Sequence, residues 1–373
     1  MYNQTMKMAI VCDDLIQWGG AEKVFLDVIK IYPGAVVFTS VISDKWKQKL
    51  QSLNVKYQIS FLQKFPFVTK LYRFYSLFYL HVLAFESFDF SKFDTILSLS
   101  SRYAHFVITK PRTRHICYMH SPARMFWNTQ DYFESEFWKK FLFLINPFLF
   151  FVRMNDYIAA QKVDVFIANS KVTQRRIKKY YKRDSVIINP CIDVNDFKVS
   201  AKISDYFLMI GRMLPWKKFD LVIKAVNKLN QNEKNNKFKL KIIGNGADYN
   251  RLISIAKKNK HIEFLGPLND MDKATYLSSC KALIYPQCED FGIVPLECMA
   301  SGRPVIAYGK GGVLETVTTK TGIFFENQTI ESLYDVLKKY DHFSLNPEDC
   351  ILHARKFDKN DFKSKLVKLL NDV

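Results

Sequence analysis

Two glutamates bracket a turn in the stretch Glu289–Glu297, which reads EDFGIVPLE. Gly292 lets a ligand come close to the backbone, and Pro295 suits the first turn of a helix. The amides around Ile293 and Val294 would then point at an anion, helped by the helix dipole. Glu297, about one turn into that helix, is placed to accept two hydrogen bonds from a diol. Glu289, before the turn, would face the other end of the same ligand. Such a ligand carries a diol, then phosphate, then a second polyhydroxyl group, which is the order of parts in a nucleotide sugar.

Upstream, Gly211-Arg212-Met213-Leu214-Pro215-Trp216-Lys217-Lys218 follows directly on an apolar strand pattern. Arg212, with its forked guanidinium, and Lys217, as a point charge, suit a diphosphate at the strand's C-terminal end. A reaction that expels a diphosphate needs its charge stabilised, and fixed cations can do that without a metal. Lys218 is equally basic; the spacing of five from Arg212 favours Lys217. The acidic pair Asp13-Asp14 lacks further partners, so no metal site and no cofactor are expected. Gly244-Asn245-Gly246 reads equally as a tight strand-to-helix connection and as a ligand contact. Arg124 and Trp127 suit packing of the next helix and are left unassigned.

These residues need strands that end where the loops begin. Apolar runs at Met8–Cys12, Ala35–Thr39, Thr95–Leu99, His115–Met119 and Val165–Ala168 alternate with helical patterns such as Ala21–Ile31. A second series has strands at Tyr206–Ile210, Lys239–Ile243, Ile262–Leu265, Ala282–Tyr285 and Pro304–Ala307. Its helices fall at Phe219–Leu229, Ala247–Lys257, Met271–Ser279 and Val294–Ala300. The alternation predicts two α/β domains with parallel sheets, their strand C-termini around a shared cleft. The expected division is 1–190, a polar linker over 191–203, 204–355, and a basic C-terminal helix within 356–373 that would pack back on the first domain.

Composition narrows the partners. The charge of +19, from 55 basic and 36 acidic residues, favours anionic ligands or surfaces. No nucleic-acid recognition signature accompanies it, which sets a nucleic-acid-binding module below an enzyme. Seven cysteines without a Cys-x-x-Cys pair read as free thiols of a reducing compartment. No signal peptide is visible, and the cytoplasm is the expected location. Residues 45–114 hold twelve Lys or Arg against three acids, a surplus of +9. Within them, Pro66–Leu83 reads as a greasy helix with basic Lys70 and Arg73, suited either to burial or to an anionic membrane surface. Lys171–Arg183 adds seven basic residues and no acid, again either a solvated face or a lipid contact. The run Phe141–Val152 is too short to span a bilayer; a buried helix is expected, with a membrane-surface segment as the alternative.

Taken in order, GGAEKV at Gly19–Val24, YMHSPARMFW at Tyr118–Trp127, GRMLPWKKFDLVIKA, KIIGNGADYNRL, IEFLGPL and YPQCEDFGIVPLECMASGRPVIA resemble glycosyltransferase family 4. The resemblance covers roughly the whole chain and is weakest over residues 40–90. It implies a GT-B fold, two Rossmann-like domains facing each other across a cleft, and retaining transfer of a hexose from a nucleoside-diphosphate sugar. It places Gly20 near the donor phosphates, Arg212 and Lys217 on the diphosphate and Glu297 on the ribose. It has Phe291, Gly292, Ile293 and Val294 present backbone to the donor. Glu289 would touch the transferred hexose, and His120 would lie beside the reacting centre, although a histidine at a strand end also suits a packed core. The resemblance further points to a glycan or lipid-linked acceptor, and to mannose or a related hexose in surface-polysaccharide assembly. An epimerase of the same architecture, acting on the nucleotide sugar itself, is the alternative.

Overall fold

The computed structural model describes residues 7–77, 79–129, 136–232, 238–257, 259–340 and 345–372. The chain divides into two compact units, Met1–Ile188 and Asn189–Val373.

In the first unit β1 (Met8–Cys12), β2 (Val36–Thr39), β3 (Tyr57–Ile59), β4 (Thr95–Ser100), β5 (Arg114–Met119), β6 (Val165–Ala168) and β7 (Ser185–Ile187) form one parallel sheet. Its order is β3-β2-β1-β4-β5-β6-β7. The central strands are buried along their whole length, as a parallel sheet covered on both faces requires. The helices are α1 (Gly20–Ile31), α2 (Asp44–Ser52), α3 (Val68–Leu77), α4 (Leu80–Glu86), α5 (Arg124–Trp127), α6 (Glu136–Gln161) and α7 (Lys171–Tyr181). Helix α1 buries Val24, Phe25, Val28 and Ile29, one stripe at helical spacing, and stops before Pro33. Helix α7 starts at Ser170, whose hydroxyl accepts the Thr173 N–H at 3.1 Å.

The second unit repeats the plan. Strands β8 (Phe207–Ile210), β9 (Leu240–Ile243), β10 (Ile262–Gly266), β11 (Leu283–Tyr285), β12 (Val305–Tyr308) and β13 (Gly322–Phe325) lie in the order β10-β9-β8-β11-β12-β13, all parallel. The connecting helices include α8 (Phe219–Asn232), α9 (Tyr249–Ala256), α10 (Asp270–Ser279), α11 (Ile293–Ala300) and α12 (Val313–Thr316). After α13 (Ile330–Lys339) and α14 (Pro347–Ala354), the chain ends in α15 (Lys359–Asp372). The polar stretch after Asn189 packs onto this unit: the Ile192 N–H donates to Phe357 O at 3.0 Å, and the Lys359 N–H returns to Ile192 O at 3.1 Å. Asp193 and Lys359 close the junction with an ion pair.

Two greasy segments resolve differently from each other. Over Pro66–Leu83, Val68 is buried and the Tyr75 hydroxyl donates to Pro66 O at 2.8 Å, while Phe67 and Leu71 are exposed. Phe78, in the same segment, lies outside the described residues. In the run ending at Val152, Leu149 and Val152 are buried, but Phe148, Phe150 and Phe151 stand in solvent. Over residues 148–152 that corrects the expectation of a buried helix, since apolar side chains face outward as well as inward; the earlier part of the run, 141–146, lies outside the described side chains.

Candidate functional site

Both sheets reverse their order at one point, between β1 and β4 and between β8 and β11. Loops leaving neighbouring strands in opposite directions open a crevice at the strand C-termini, where ligands bind in such sheets.

In the second unit the crevice is lined by the loops after β8 and β11. The loop after β8 carries Arg212, half-buried, then a single 3₁₀ turn Pro215–Lys217. Of the two adjacent lysines it is Lys217 that reaches across: its ammonium pairs with Oε1 of Glu289 and lies 4.4 Å from the centre of the Trp216 ring. Lys218 instead takes a left-handed backbone, φ +56°, and starts the chain into α8. Glu289 is held from the other side by Tyr285, whose hydroxyl donates to Oε2 at 2.6 Å. Tyr285 is the last residue of β11 and fully buried.

The turn itself is constrained. Gly292 has φ +99°, a conformation L side chains rarely adopt, and a Cβ there would also sit 3.0 Å from the Tyr285 hydroxyl. The loop after β12 clamps the segment from below: the Gly312 N–H donates to Glu289 O at 2.8 Å. A Cβ on Gly312 would fall 2.2 Å from Asp290 O, so only glycine permits this approach.

Helix α11 then begins at Ile293, with Val294 in its first turn. Phe291 turns its ring inward, edge-on to Phe357 at 5.8 Å, so only its backbone lies on the loop surface side. Glu297, 1% exposed, accepts from the Lys273 ammonium at 3.1 Å. Lys273 belongs to α10 and also meets Asp270 at 3.0 Å. A buried carboxylate without a cation would be costly, and Lys273 supplies the compensating charge beside Glu297. The sequence reading missed Tyr285 and Lys273. Tyr285 sits inside an apolar strand pattern, and Lys273 looks like any lysine on an amphipathic helix.

Gly244-Asn245-Gly246 follows β9 and fastens to the loop after β8: Met213 donates to Asn245 O at 2.9 Å and Gly244 donates to Gly266 O at 2.9 Å. That is a connection that shapes the Arg212 loop.

The first unit's crevice is occupied by its own side chain. Asp13 accepts four backbone N–H groups, from Ser101 at 2.6 Å and Arg102 at 3.0 Å on Oδ2, and from Tyr103 and Ala104 at 2.9 Å on Oδ1. Asp14 pairs with the Arg102 guanidinium. Burial pulls the Arg102 pKa down, but Asp14 and Asp13 carry it above the ordinary arginine value. Both aspartates are therefore engaged in holding the loop after β4. Gly20 opens α1 beside this loop system, after the Gly19 N-cap.

His120 stands directly after β5, half-buried, its ring 5.2 Å from that of Tyr118. Its carbonyl accepts from Asn169 at 2.9 Å and Thr173 at 3.1 Å, which anchors the backbone to the start of α7. His120 and Gly20 lie in the first unit, and Arg212, Lys217, Glu289, Phe291, Gly292, Ile293, Val294 and Glu297 in the second.

A Ser–His–Asp arrangement also occurs: Ser100 Oγ is 2.8 Å from His105 Nδ1, and His105 Nε2 is 3.1 Å from Asp156 Oδ1. All three are buried, and Asp156 Oδ2 also accepts from Trp127 at 2.6 Å and Tyr181 at 2.8 Å. With no route to solvent it serves as an interior polar tie between β4, α5, α6 and α7, and it gives Trp127 its place. Six of the seven cysteines are buried, and Cys288 is exposed. Burial holds the Cys117 thiol up at about 12. Among the described residues no group of His, Cys, Asp and Glu is arranged to hold a metal ion.

Comparison with known proteins fits this geometry. Residues 194–357 match the family model for glycosyl transferases group 1. An uncharacterised glycosyltransferase of Methanocaldococcus jannaschii is 28% identical over 162 residues, 43% of this chain and 44% of the relative. The alpha-1,3/1,6-mannosyltransferase of Mus musculus is 27% identical over 209 residues, 48% of this chain and 50% of the relative. A GDP-mannose-dependent phosphatidylinositol monomannoside mannosyltransferase of Corynebacterium glutamicum is 32% identical over 136 residues, 34% of this chain and 35% of the relative. The chain thus spans about half or less of the curated relatives it matches.

Among solved structures, Anabaena HepE in complex with UDP superposes with a TM-score of 0.73 at 17% identity, covering 99% of this chain and 100% of that one. Sucrose-phosphate synthase of Thermosynechococcus elongatus gives 0.72 at 15% identity, covering 98% and 99%. These likenesses establish the fold. The chain has the two parallel-sheet α/β units of the GT-B fold, and within the second unit residues 194–357 are similar to glycosyl transferases group 1.

Proposed function

We propose that this protein is a retaining glycosyltransferase that moves a hexose, mannose in the first instance, from a nucleoside-diphosphate sugar to a glycan or lipid-linked glycan. The observation that carries the proposal is the meeting of Lys217 and Glu289 at the reversal point of the second sheet, beside the Gly292 turn. It puts a cation for a diphosphate and a carboxylate for a sugar side by side, with Glu297 at the adjoining helix for the ribose.

In this reading the donor diphosphate draws Lys217 from Glu289 and is held by Lys217 with Arg212. As the bond between the anomeric carbon and the phosphate oxygen breaks, both cations stabilise the charge gathering on the leaving group. Glu289, released from Lys217 but still fixed by Tyr285, turns to the hexose hydroxyls, and His120 supports the reacting sugar. Retention follows a front-face course: the acceptor oxygen bonds to the anomeric carbon on the side the diphosphate leaves, and its proton passes to the departing phosphate. No metal and no cofactor take part. Mannose is favoured because the matched relatives include mannosyltransferases by name. Among the described residues no helix is long and apolar enough to cross a membrane, and we place the enzyme at the cytoplasmic face, peripherally.

The test is titration with GDP-mannose, UDP-glucose and the free nucleoside diphosphates, followed by turnover with acceptor and excess chelator. Binding of a nucleotide sugar, release of the nucleoside diphosphate only with acceptor, and turnover in chelator support the reading. Absence of any nucleotide binding, nucleotide-sugar isomerisation without acceptor, or metal-dependent turnover would each remove the corresponding part.

A further inference from the structure

The loop between β1 and α1 ends in an aromatic side chain that the donor site does not use. Trp18 stands two residues before the start of α1 at Gly20, at the C-terminal edge of the first sheet, and is 48% exposed. One face of its ring lies on Trp46 of α2, with centres 4.7 Å apart and planes 23° from parallel. Trp46 is 3% exposed and meets Phe25 of α1 edge-on at 6.0 Å. The lower ring is therefore core, and the upper ring turns its other face outward.

This loop is fastened on both sides. The Trp46 indole N–H donates to Gln17 O at 2.8 Å. Leu15 and Ile42 form a parallel bridge, in which the Leu15 N–H donates to Val41 O at 2.8 Å and the Ser43 N–H to Leu15 O at 2.9 Å. A ring held in this way has little freedom left to lose when something binds it. Among the described residues nothing accepts from the Trp18 indole N–H, so the ring offers an open π face with a donor at its edge.

The size of the patch selects its occupant. A half-exposed tryptophan presents on the order of 100 Å², far below the roughly 800 Å² per partner of a stable protein interface. The exposed residues beside the stack, Asp44 and Lys45 of α2 and Gly20 of α1, are polar or lack a side chain, so the apolar area ends with one ring. A pyranose matches it. The C–H bonds of one sugar face meet the negative π face, and the hydroxyls at the rim keep their water or take the indole N–H.

The sheet sets which pyranose this is. Trp18 lies on the β2 side of β1, whereas His120 follows β5, two strands along in the order β1-β4-β5. Two strand spacings are about 10 Å, more than a single sugar ring spans. A ring on Trp18 is therefore not the residue that reacts beside His120 but an earlier one in the same glycan.

We propose that Trp18, backed by Trp46, is a remote acceptor subsite that stacks a pyranose at least one residue behind the hydroxyl being glycosylated. The acceptor is then an oligosaccharide rather than a single sugar. The position of the reacting hydroxyl rests on the transferase reading; the stacking platform does not.

The experiment titrates the full chain, without nucleotide, with manno-, gluco- and galacto-tetraoses and the matching monosaccharides, followed by saturation-transfer NMR. At least one tetrasaccharide should bind the parent about tenfold more tightly than its monosaccharide. Trp18→Leu, which keeps an apolar cover on Trp46 but no flat face, should lose about that factor, and Trp18→Tyr should keep most of it. With nucleotide sugar added, Trp18→Leu should raise the KM for the tetrasaccharide about tenfold while kcat and nucleoside-diphosphate affinity match the parent. A folded parent that binds no tetrasaccharide, a Trp18→Leu chain that binds it like the parent, or an equal loss on the monosaccharide would overturn the proposal. So would binding to phosphatidylglycerol vesicles that Trp18→Leu abolishes while every sugar stays unbound, since that would assign the ring to lipid. Sugar binding that depends on Trp18 in a chain that binds no nucleotide would uphold the platform and remove the transferase reading; normal nucleotide binding without sugar binding would do the reverse.

Discussion

The Tyr285 hydroxyl and the Glu289 carboxylate are joined at 2.6 Å, with Tyr285 locked in the last turn-out of a core strand. A rigid donor thus orients a residue that sits on a loop. Tyr285→Phe keeps the ring packing and removes that one bond. A hydrogen bond to a charged group contributes about 1.5–3 kcal/mol. If Glu289 meets the hexose, kcat should fall about ten- to a hundredfold while nucleoside-diphosphate affinity stays near normal. Steady-state kinetics beside calorimetry reads both, and an unchanged kcat would remove Glu289 from the reaction.

Lys273 and Glu297 form a pair in which the carboxylate is almost wholly enclosed. Lys273→Met leaves that charge without its cation and should destabilise the second unit by about 3–5 kcal/mol. Adding Glu297→Gln should recover part of the loss, as read by urea unfolding. Glu297→Ala alone should weaken nucleoside-diphosphate binding by about 1.5–3 kcal/mol. Calorimetry showing unaltered affinity would take the ribose away from Glu297.

Gly292→Ala forces a side chain into φ +99° and against the Tyr285 hydroxyl. The strain is of order 1–3 kcal/mol, expressed either as lower stability or as a displaced loop. Melting temperature and donor affinity measured together should show at least one of these changes, and a variant indistinguishable from the parent in both would mean the turn is not under constraint.

His120→Ala distinguishes chemistry from packing. Support of the reacting sugar predicts a larger loss in turnover than in donor binding. A packing histidine predicts a lower melting temperature with near-normal turnover in the molecules that remain folded.

His115 is buried and its pKa falls to about 3, first through burial and then through repulsion from His105. The unfolded chain, with the ordinary value near 6.5, binds this proton more readily. Stability of the first unit is therefore fully present above about pH 6.5 and declines as pH falls towards 3, by about 1.4 kcal/mol per unit. His81 is lowered too, mainly by burial, and adds to the same slope. Urea unfolding from pH 7 to 4 should show this trend, and His115→Gln should flatten it. A slope unchanged in the variant would assign the acid sensitivity to other groups.

Much of this architecture was legible in advance because parallel strands buried on both faces are continuous apolar runs. Val165–Ala168 is a strand with the predicted ends, and β8, β9 and β11 differ by a single residue. The strands that escaped, β3, β7 and β13, are short edge or near-edge elements of three or four residues with mixed burial. Their pattern does not separate from that of loops. At the site, Glu289, Glu297 and Gly292 announced themselves through spacing around a turn. Tyr285 and Lys273 did not, because what they do depends on which element packs beside them, and that is a tertiary fact. The same holds for Phe150 and Phe151, since an all-apolar run does not say which side of its helix faces out.

Asp13 carries a consequence of another kind. The two sheets share a strand plan, and each reverses its order at one point, so the plan by itself provides for two similar crevices. In the first sheet the seat at residues 101–104 is taken by a carboxylate that the chain itself supplies. This built-in anion makes the duplicated plan functionally unequal. If the second unit holds the donor as proposed, one nucleotide per chain is the expected stoichiometry, which calorimetry reads directly.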